Sequence, residues 1–148
     1  VNGGGGADEI RGGRGDDLLK GGSGEDTLTG GADDDVVFGG SGDDRAVYFA
    51  ANNLGDEDDY RGGGDTDTLV LELTQAEYDA AEAEILDYLA FLDVQTAGGT
   101  QDAGGAVFAF ASFGLSAQQF EALEVVVDGT VVDPTAPAMA LAEEAFLF

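Results

Sequence analysis

The chain has 148 residues, with 31 Asp and Glu against 5 Lys and Arg, a formal charge of −26 at pH 7, no histidine and no cysteine. That balance repels nucleic acid and anionic membrane surfaces. It also excludes thiolate or imidazole sites for zinc, copper or iron, Ser-His and Cys-His catalytic pairs, and a disulfide-stapled scaffold.

What remains is a multivalent cation, an acidic disordered tail or a salt-adapted surface. A hydrophobic share of 43%, with 9 Phe and 4 Tyr, is too high for a solvated tail. The opening stretch VNGGGGADEIRGG has neither the basic segment nor the apolar core of a secretory signal. No apolar run approaches the ~20 residues of a membrane helix, so no membrane insertion is expected. The chain starts partway through a pattern, and we expect it to continue a longer polypeptide with an upstream domain.

In chain order, the first half is a repeat array. GGGGADEIR (3–11), GGRGDDLLK (12–20), GGSGEDTLT (21–29), GGADDDVVF (30–38) and GGSGDDRAV (39–47) run without a gap. Register slips by the five residues YFAAN, resumes weakly as NLGDEDDYR (53–61), and closes strongly as GGGDTDTLV (62–70). The sixth position is always aspartate: Asp8, Asp17, Asp26, Asp35, Asp44, Asp58 and Asp67. The eighth holds Ile10, Leu19, Leu28, Val37, Ala46, Tyr60 and Leu69. A flexible linker keeps no such register.

Six glycine-rich residues make a turn whose backbone visits positive φ, and the remaining three suit a short strand with one inward apolar residue. Two turns and two strands give a coil of 18 residues, so alternate turns stack on opposite sides. Strands of neighbouring coils lie about 4.7–4.9 Å apart, and Ca²⁺ binds oxygen at about 2.3–2.6 Å, so an ion between stacked turns can touch both. Mg²⁺, tighter and reluctant to lose water, fits worse. Stacked aspartates without an ion repel by about 1 kcal/mol at ~5 Å in water and by several at lower effective dielectric. Folding and calcium binding are therefore expected to be one event.

This pattern, G-G-x-G-x-D-x-U-x, resembles the calcium-binding nonapeptide of RTX proteins over residues 1 to about 71. The resemblance implies a mainly β fold, a parallel β-roll over 1–71, with three to five Ca²⁺ ions held between stacked turns. Each ion would take carbonyls of positions two and four plus the aspartate of one turn, and carbonyls of positions one and three plus the aspartate of the turn one coil later. Carried over, a first site uses Gly4, Gly6 and Asp8 with Gly21, Ser23 and Asp26. A second uses Gly13, Gly15 and Asp17 with Gly30, Ala32 and Asp35, and a third Gly22, Gly24 and Asp26 with Gly39, Ser41 and Asp44. A fourth (Gly31, Asp33, Asp35 with Asn53, Gly55, Asp58) has a degenerate partner turn. A fifth (Gly40, Gly42, Asp44 with Gly62, Gly64, Asp67) requires YFAAN to bulge outward. Asp33, Asp56 and Asp65 replace the fourth-position glycine, and the array is expected to loosen from Asp33.

Residues 72–148 are expected to form a small α+β capping region. Residues 73–93 pattern as a helix, with a Thr74/Glu77 capping box and Tyr78, Ala81, Ile85, Tyr88, Leu89 and Leu92 on one face. Glu82, Glu84 and Asp87 suit a solvated face rather than a catalytic pair. TAGGTQDAGG is a loop, 106–113 a strand, and 115–133 a short turn of helix followed by a hairpin at Asp128-Gly129. The chain ends on Glu144, Ala145, Phe146, Leu147 and Phe148, which resembles an uncleaved C-terminal signal for bacterial type I secretion, placed at about 135–148.

The resemblance thus implies a secreted, extracellular bacterial module with no catalysis of its own. The type I secretion machinery would be its partner, and the parent a secreted enzyme or toxin such as a protease, lipase or pore-former. A free-standing adhesin or surface module is the alternative. Arg14-Gly15-Asp16 is part of a repeat rather than an adhesion motif, and the EF-hand spacing fails in residues 55–67.

Overall fold

The computed structural model describes residues 1–97 and 106–136. Eight strands come from the repeats: β1 (Asn2–Gly5), β2 (Glu9–Arg14), β3 (Leu18–Ser23), β4 (Thr27–Ala32), β5 (Val36–Ser41), β6 (Arg45–Phe49), β7 (Asp58–Gly64) and β8 (Thr68–Leu73). They alternate between two sheets and are parallel to their neighbours. Leu19 pairs with Val37 and Ile10 with Leu28, so one coil is two nonapeptides. The chain is a mainly β, parallel β-roll.

The core is the eighth-position column. Ile10, Leu19, Leu28, Val37, Ala46, Tyr60 and Leu69 are all buried between the sheets, while their strand neighbours, the buried Val70 apart, are at least partly exposed. Such a core is one side chain thick per strand, which leaves much of the ordering cost to be met by the turns.

The slip YFAAN ends β6 and forms a single 3-10 turn, Ala50–Asn52, at one corner. Beyond it Gly40 pairs with Gly63 and Arg45 with Thr68, so stacking resumes with the coil five residues longer. The array does not lose register at Asp33, because Gly13 still pairs with Gly31 and Arg14 with Ala32. Asp33 and Asp65 adopt φ of 79° and 80°, the left-handed geometry that glycine holds at this position in most of the other repeats.

Neither sheet stops at residue 72. After α1 (Gln75–Ala97) come β9 (Val107–Phe110), β10 (Leu115–Gln118), β11 (Ala122–Val127) and β12 (Thr130–Val132). β10 adds parallel to β7 and β11 parallel to β8, and antiparallel β9 and β12 finish the two sheets. The hairpin at Asp128-Gly129 forms as expected.

The expected turn of helix after Leu115 is instead strand β10. Leu115 and Ala117 are buried and Ser116 and Gln118 half-buried, a period of two that satisfies the open edge of β7. Helix α1 has the expected capping box, with Thr74 N–H donating to Glu77 Oε2 (2.8 Å) and Glu77 N–H to Thr74 Oγ1 (3.3 Å). Ala81, Ile85, Tyr88 and Leu92 are buried and join Phe110, Phe113 and Leu115 in one apolar cluster; Tyr78 packs against it, and Leu89 is half-buried. Glu82 and Asp87 are exposed, and Glu84 accepts from Ser112 N–H and Oγ–H. Most of the loop expected at 96–105 and the terminal segment 137–148 lie outside the described residues.

Candidate metal centres

The turns stack along two edges. The first edge carries Asp8, Asp26, Asp44 and Asp67, the second Asp17, Asp35 and Asp58. In every stacked pair the backbone N–H of one aspartate donates to Oδ1 of the aspartate one coil later: Asp8 to Asp26 (2.8 Å), Asp26 to Asp44 (2.8 Å), Asp44 to Asp67 (2.9 Å), Asp17 to Asp35 (2.9 Å) and Asp35 to Asp58 (2.9 Å). These bonds fix each carboxylate with one oxygen used.

The other oxygen, Oδ2, is buried and unpartnered in all seven aspartates. Buried carboxylate oxygens without partners are costly, and seven in register call for a counter-charge. None is in one of the three ion pairs among the described residues, Arg11–Glu9, Arg45–Glu124 and Arg61–Asp59, and all three of those are at least partly exposed.

Backbone oxygens face these orphans. A Cβ built on Gly21 would lie 2.5 Å from both Asp26 Oδ2 and the carbonyl oxygen of Gly39, and one on Gly3 would lie 2.7 Å from Asp8 Oδ2 and 2.8 Å from Gly21 O. Gly12 and Gly39 repeat this with Asp17 Oδ2 and Gly30 O, and with Asp44 Oδ2 and Gly62 O. First-position glycine is thus required because carboxylate and carbonyl oxygens close on the space a side chain would fill. Among the described residues no three acidic side chains converge, so a cation here must draw on main-chain carbonyls. That oxygen-only donor set suits a hard ion of the calcium type.

Of the expected ligand sets, the structure stacks the first three as anticipated: Gly4/Gly22 and Gly5/Ser23, then Gly13/Gly31 and Arg14/Ala32, then Gly22/Gly40 and Ser23/Ser41. The fifth is also brought together, Gly40 lying against Gly63 and Ser41 against Gly64. In the fourth only the aspartates keep their relation. Turn 53–58 has its positive φ at Gly55 alone. The Tyr60 hydroxyl, accepting from Gly30 N–H at 3.0 Å, stands where the other layers place a first-position carbonyl.

Asp33 and Asp65 add a variation. Gly6 N–H and Gly24 N–H donate to the carbonyls of Ser23 and Ser41 (both 2.8 Å). Gly15 N–H and Gly42 N–H donate instead to Oδ2 of Asp33 (2.9 Å) and Asp65 (3.0 Å). The side chain takes over the amide that a third-position carbonyl receives elsewhere.

Burial raises the carboxyl pKa of four ladder aspartates, assisted by the like charge one coil away: Asp35 and Asp44 are shifted upward, and Asp58 and Asp67 reach about 7. A carboxyl raised in the fold binds its proton more tightly there than in the unfolded chain. That stabilisation is complete below the unfolded value of about 4 and is lost as pH rises through about 7. In chelator, the far-UV strand signal is therefore expected to be stronger at about pH 5 than at about pH 8. In excess calcium the trend should reverse, since ions and protons compete for the same oxygens. Identical pH profiles with and without calcium would contradict this.

Two site residues escaped sequence reasoning, Tyr60 as hydroxyl donor–acceptor and Glu121. Asp67 N–H donates to Glu121 Oε2 (2.8 Å), which continues the first-edge ladder one step past the last repeat. The signal was present as Glu121-Ala122-Leu123, a D-x-U triplet with Glu for Asp.

Fold and edges together define a parallel β-roll whose stacked turns carry cation-seeking carboxylate ladders. Residues 1–19 and 12–46 match the family model of the RTX calcium-binding nonapeptide repeat, in four copies. The N-terminal part of the chain therefore carries RTX-type calcium-binding nonapeptide repeats. No curated protein and no solved structure matches the chain.

Proposed function

We propose that this chain is a calcium-driven folding module of a secreted bacterial protein, with residues 1–71 as the ion-binding roll and 72–148 as the region that caps it. The observation that carries the reading is the set of seven unpartnered Asp Oδ2 atoms in register. With about three to five Ca²⁺ ions between the turns these oxygens are neutralised; without them the charge of −26 favours an expanded chain. Such a chain suits passage through a type I exporter at low calcium, followed by folding outside. The terminal signal at about 135–148 is part of that proposal, as are extracellular localisation and an upstream domain that carries any enzymatic or toxic activity. The non-catalytic family of the repeats supports the absence of catalysis within these residues.

Calcium titration followed by far-UV circular dichroism tests the reading. The chain is expected to be largely unfolded in chelator and to gain strand signal cooperatively with calcium but not with equal magnesium. A chain equally folded in both conditions sinks it.

A further inference from the structure

Seven Oδ2 atoms are orphaned, yet the repeats provide only five layers between stacked turns. Asp58 and Asp67 face the layer beyond the last turn of their edge. On the second edge Asp58 N–H donates to the Gly114 carbonyl (3.0 Å), where the repeats offer a carboxylate. The first edge differs.

We propose that the first edge holds a further calcium site outside the repeats, formed by the Asp67 carboxylate, the main-chain carbonyl of Gln119 and the Glu121 carboxylate. The inference rests on the calcium reading of the repeats. Two of its three ligands, however, come from the β10–β11 turn, which belongs to no nonapeptide.

Asp67 is 0% exposed and its Oδ2 has no partner. A Cβ on Gly62 would lie 2.6 Å from that oxygen and overlap the carbonyl oxygen of Gln119, the same relation that Gly39 shows to Asp44 Oδ2 and Gly62 O. The two oxygens thus border one small space beside Gly62. Gln119 is held at φ 59°, a left-handed conformation that a non-glycine residue adopts only when its surroundings impose it. Glu121 uses Oε2 to receive Asp67 N–H, as each repeat aspartate uses Oδ1. The Glu121 and Ala122 amides both donate to Asp67 O (3.0 and 3.1 Å), locking the turn against the last repeat.

Turn 119–121 has three residues where a repeat turn has six, so fewer carbonyls reach this layer and water completes the shell. The site is accordingly weaker than the interior ones and fills last.

Calorimetric counting of calcium on the whole chain, wild type against Glu121→Gln, tests this. The amide retains an oxygen for Asp67 N–H but removes the charge. The variant is expected to bind one ion fewer, losing the final step, whose dissociation constant in the wild type lies roughly ten-fold or more above the interior steps. Glu124→Gln, which removes a charge from the strand that follows at its Arg45 pair, should keep the wild-type count. Equal stoichiometry and isotherm for Glu121→Gln and wild type would overturn the site while leaving the repeats' calcium binding intact. A wild type that binds no calcium would overturn the reading of the repeats itself.

Should Glu121→Gln fail to fold in calcium, amide NMR of the wild type decides. Asp67, Gln119 and Glu121 resonances must move in a separate late step; movement only in step with Asp26 and Asp44 refutes the site.

Discussion

Gly40→Ala is expected to abolish cooperative folding of the roll even in saturating calcium. Gly40 sits at φ 124°, and its added Cβ would overlap the carbonyl oxygen of Gly22 and lie 3.0 Å from Gly22 C and 3.1 Å from Gly22 N. Both partners are main chain inside a stacked pair, so neither can step aside without parting β3 from β5. Strain and overlap together cost about 2–6 kcal/mol, comparable with the whole stability of a small domain. Gly129→Ala makes the comparison, since it shares a positive φ of 82° but nothing lies near its Cβ. It should cost only about 1 kcal/mol. Circular dichroism in calcium checks both, and a Gly40→Ala chain that folds like Gly129→Ala would refute the stacking.

Asp44→Asn should change stability in opposite directions with and without calcium. Asp44 is 2% exposed, with Asp26, Asp43 and Asp65 as its charged neighbours, and burial is the chief cause of its raised pKa. Asparagine keeps an oxygen for Asp26 N–H, now met by Asp44 Oδ1 at 2.8 Å, and deletes the charge. In chelator the loss of repulsion favours the compact chain by about 1 kcal/mol in water, more at lower effective dielectric. In calcium the same change weakens two adjacent layers. The calcium midpoint for folding should rise at least ~10-fold, about 1.4 kcal/mol. A midpoint unchanged within two-fold would show that Asp44 does not serve the ion.

The roll was legible because its physics is periodic. One apolar column at Ile10, Leu19, Leu28 and Val37 and one aspartate column at Asp8, Asp17, Asp26 and Asp35 define coil length, inward face and edges without any long-range information. The slip at YFAAN and the aspartate at position 33 looked like faults from sequence. In the structure the first is absorbed in a 3-10 turn, and the second takes over an amide from a carbonyl. The terminal layer was illegible for a different reason. Glu121 meets Asp67 across 54 residues, and its one local trace, the Glu121-Ala122-Leu123 triplet, stands outside the nine-residue register. β10 was mistaken for helix because four residues are too short to establish a period of two; only the vacant edge of β7 makes Leu115–Gln118 a strand.

The corner at Ala50–Asn52 shows that coil length is elastic. Five additional residues leave both carboxylate ladders in place, the cost being confined to one turn whose Ala51 and Asn52 are exposed while Ala50 and Asn53 stay anchored inside. Lengthening a surface connection adds only about 0.6 kcal/mol per doubling. This corner is therefore a splice port, a point at which a foreign peptide can be carried on the outside of an ion-clamped scaffold and displayed only when the ions lock it.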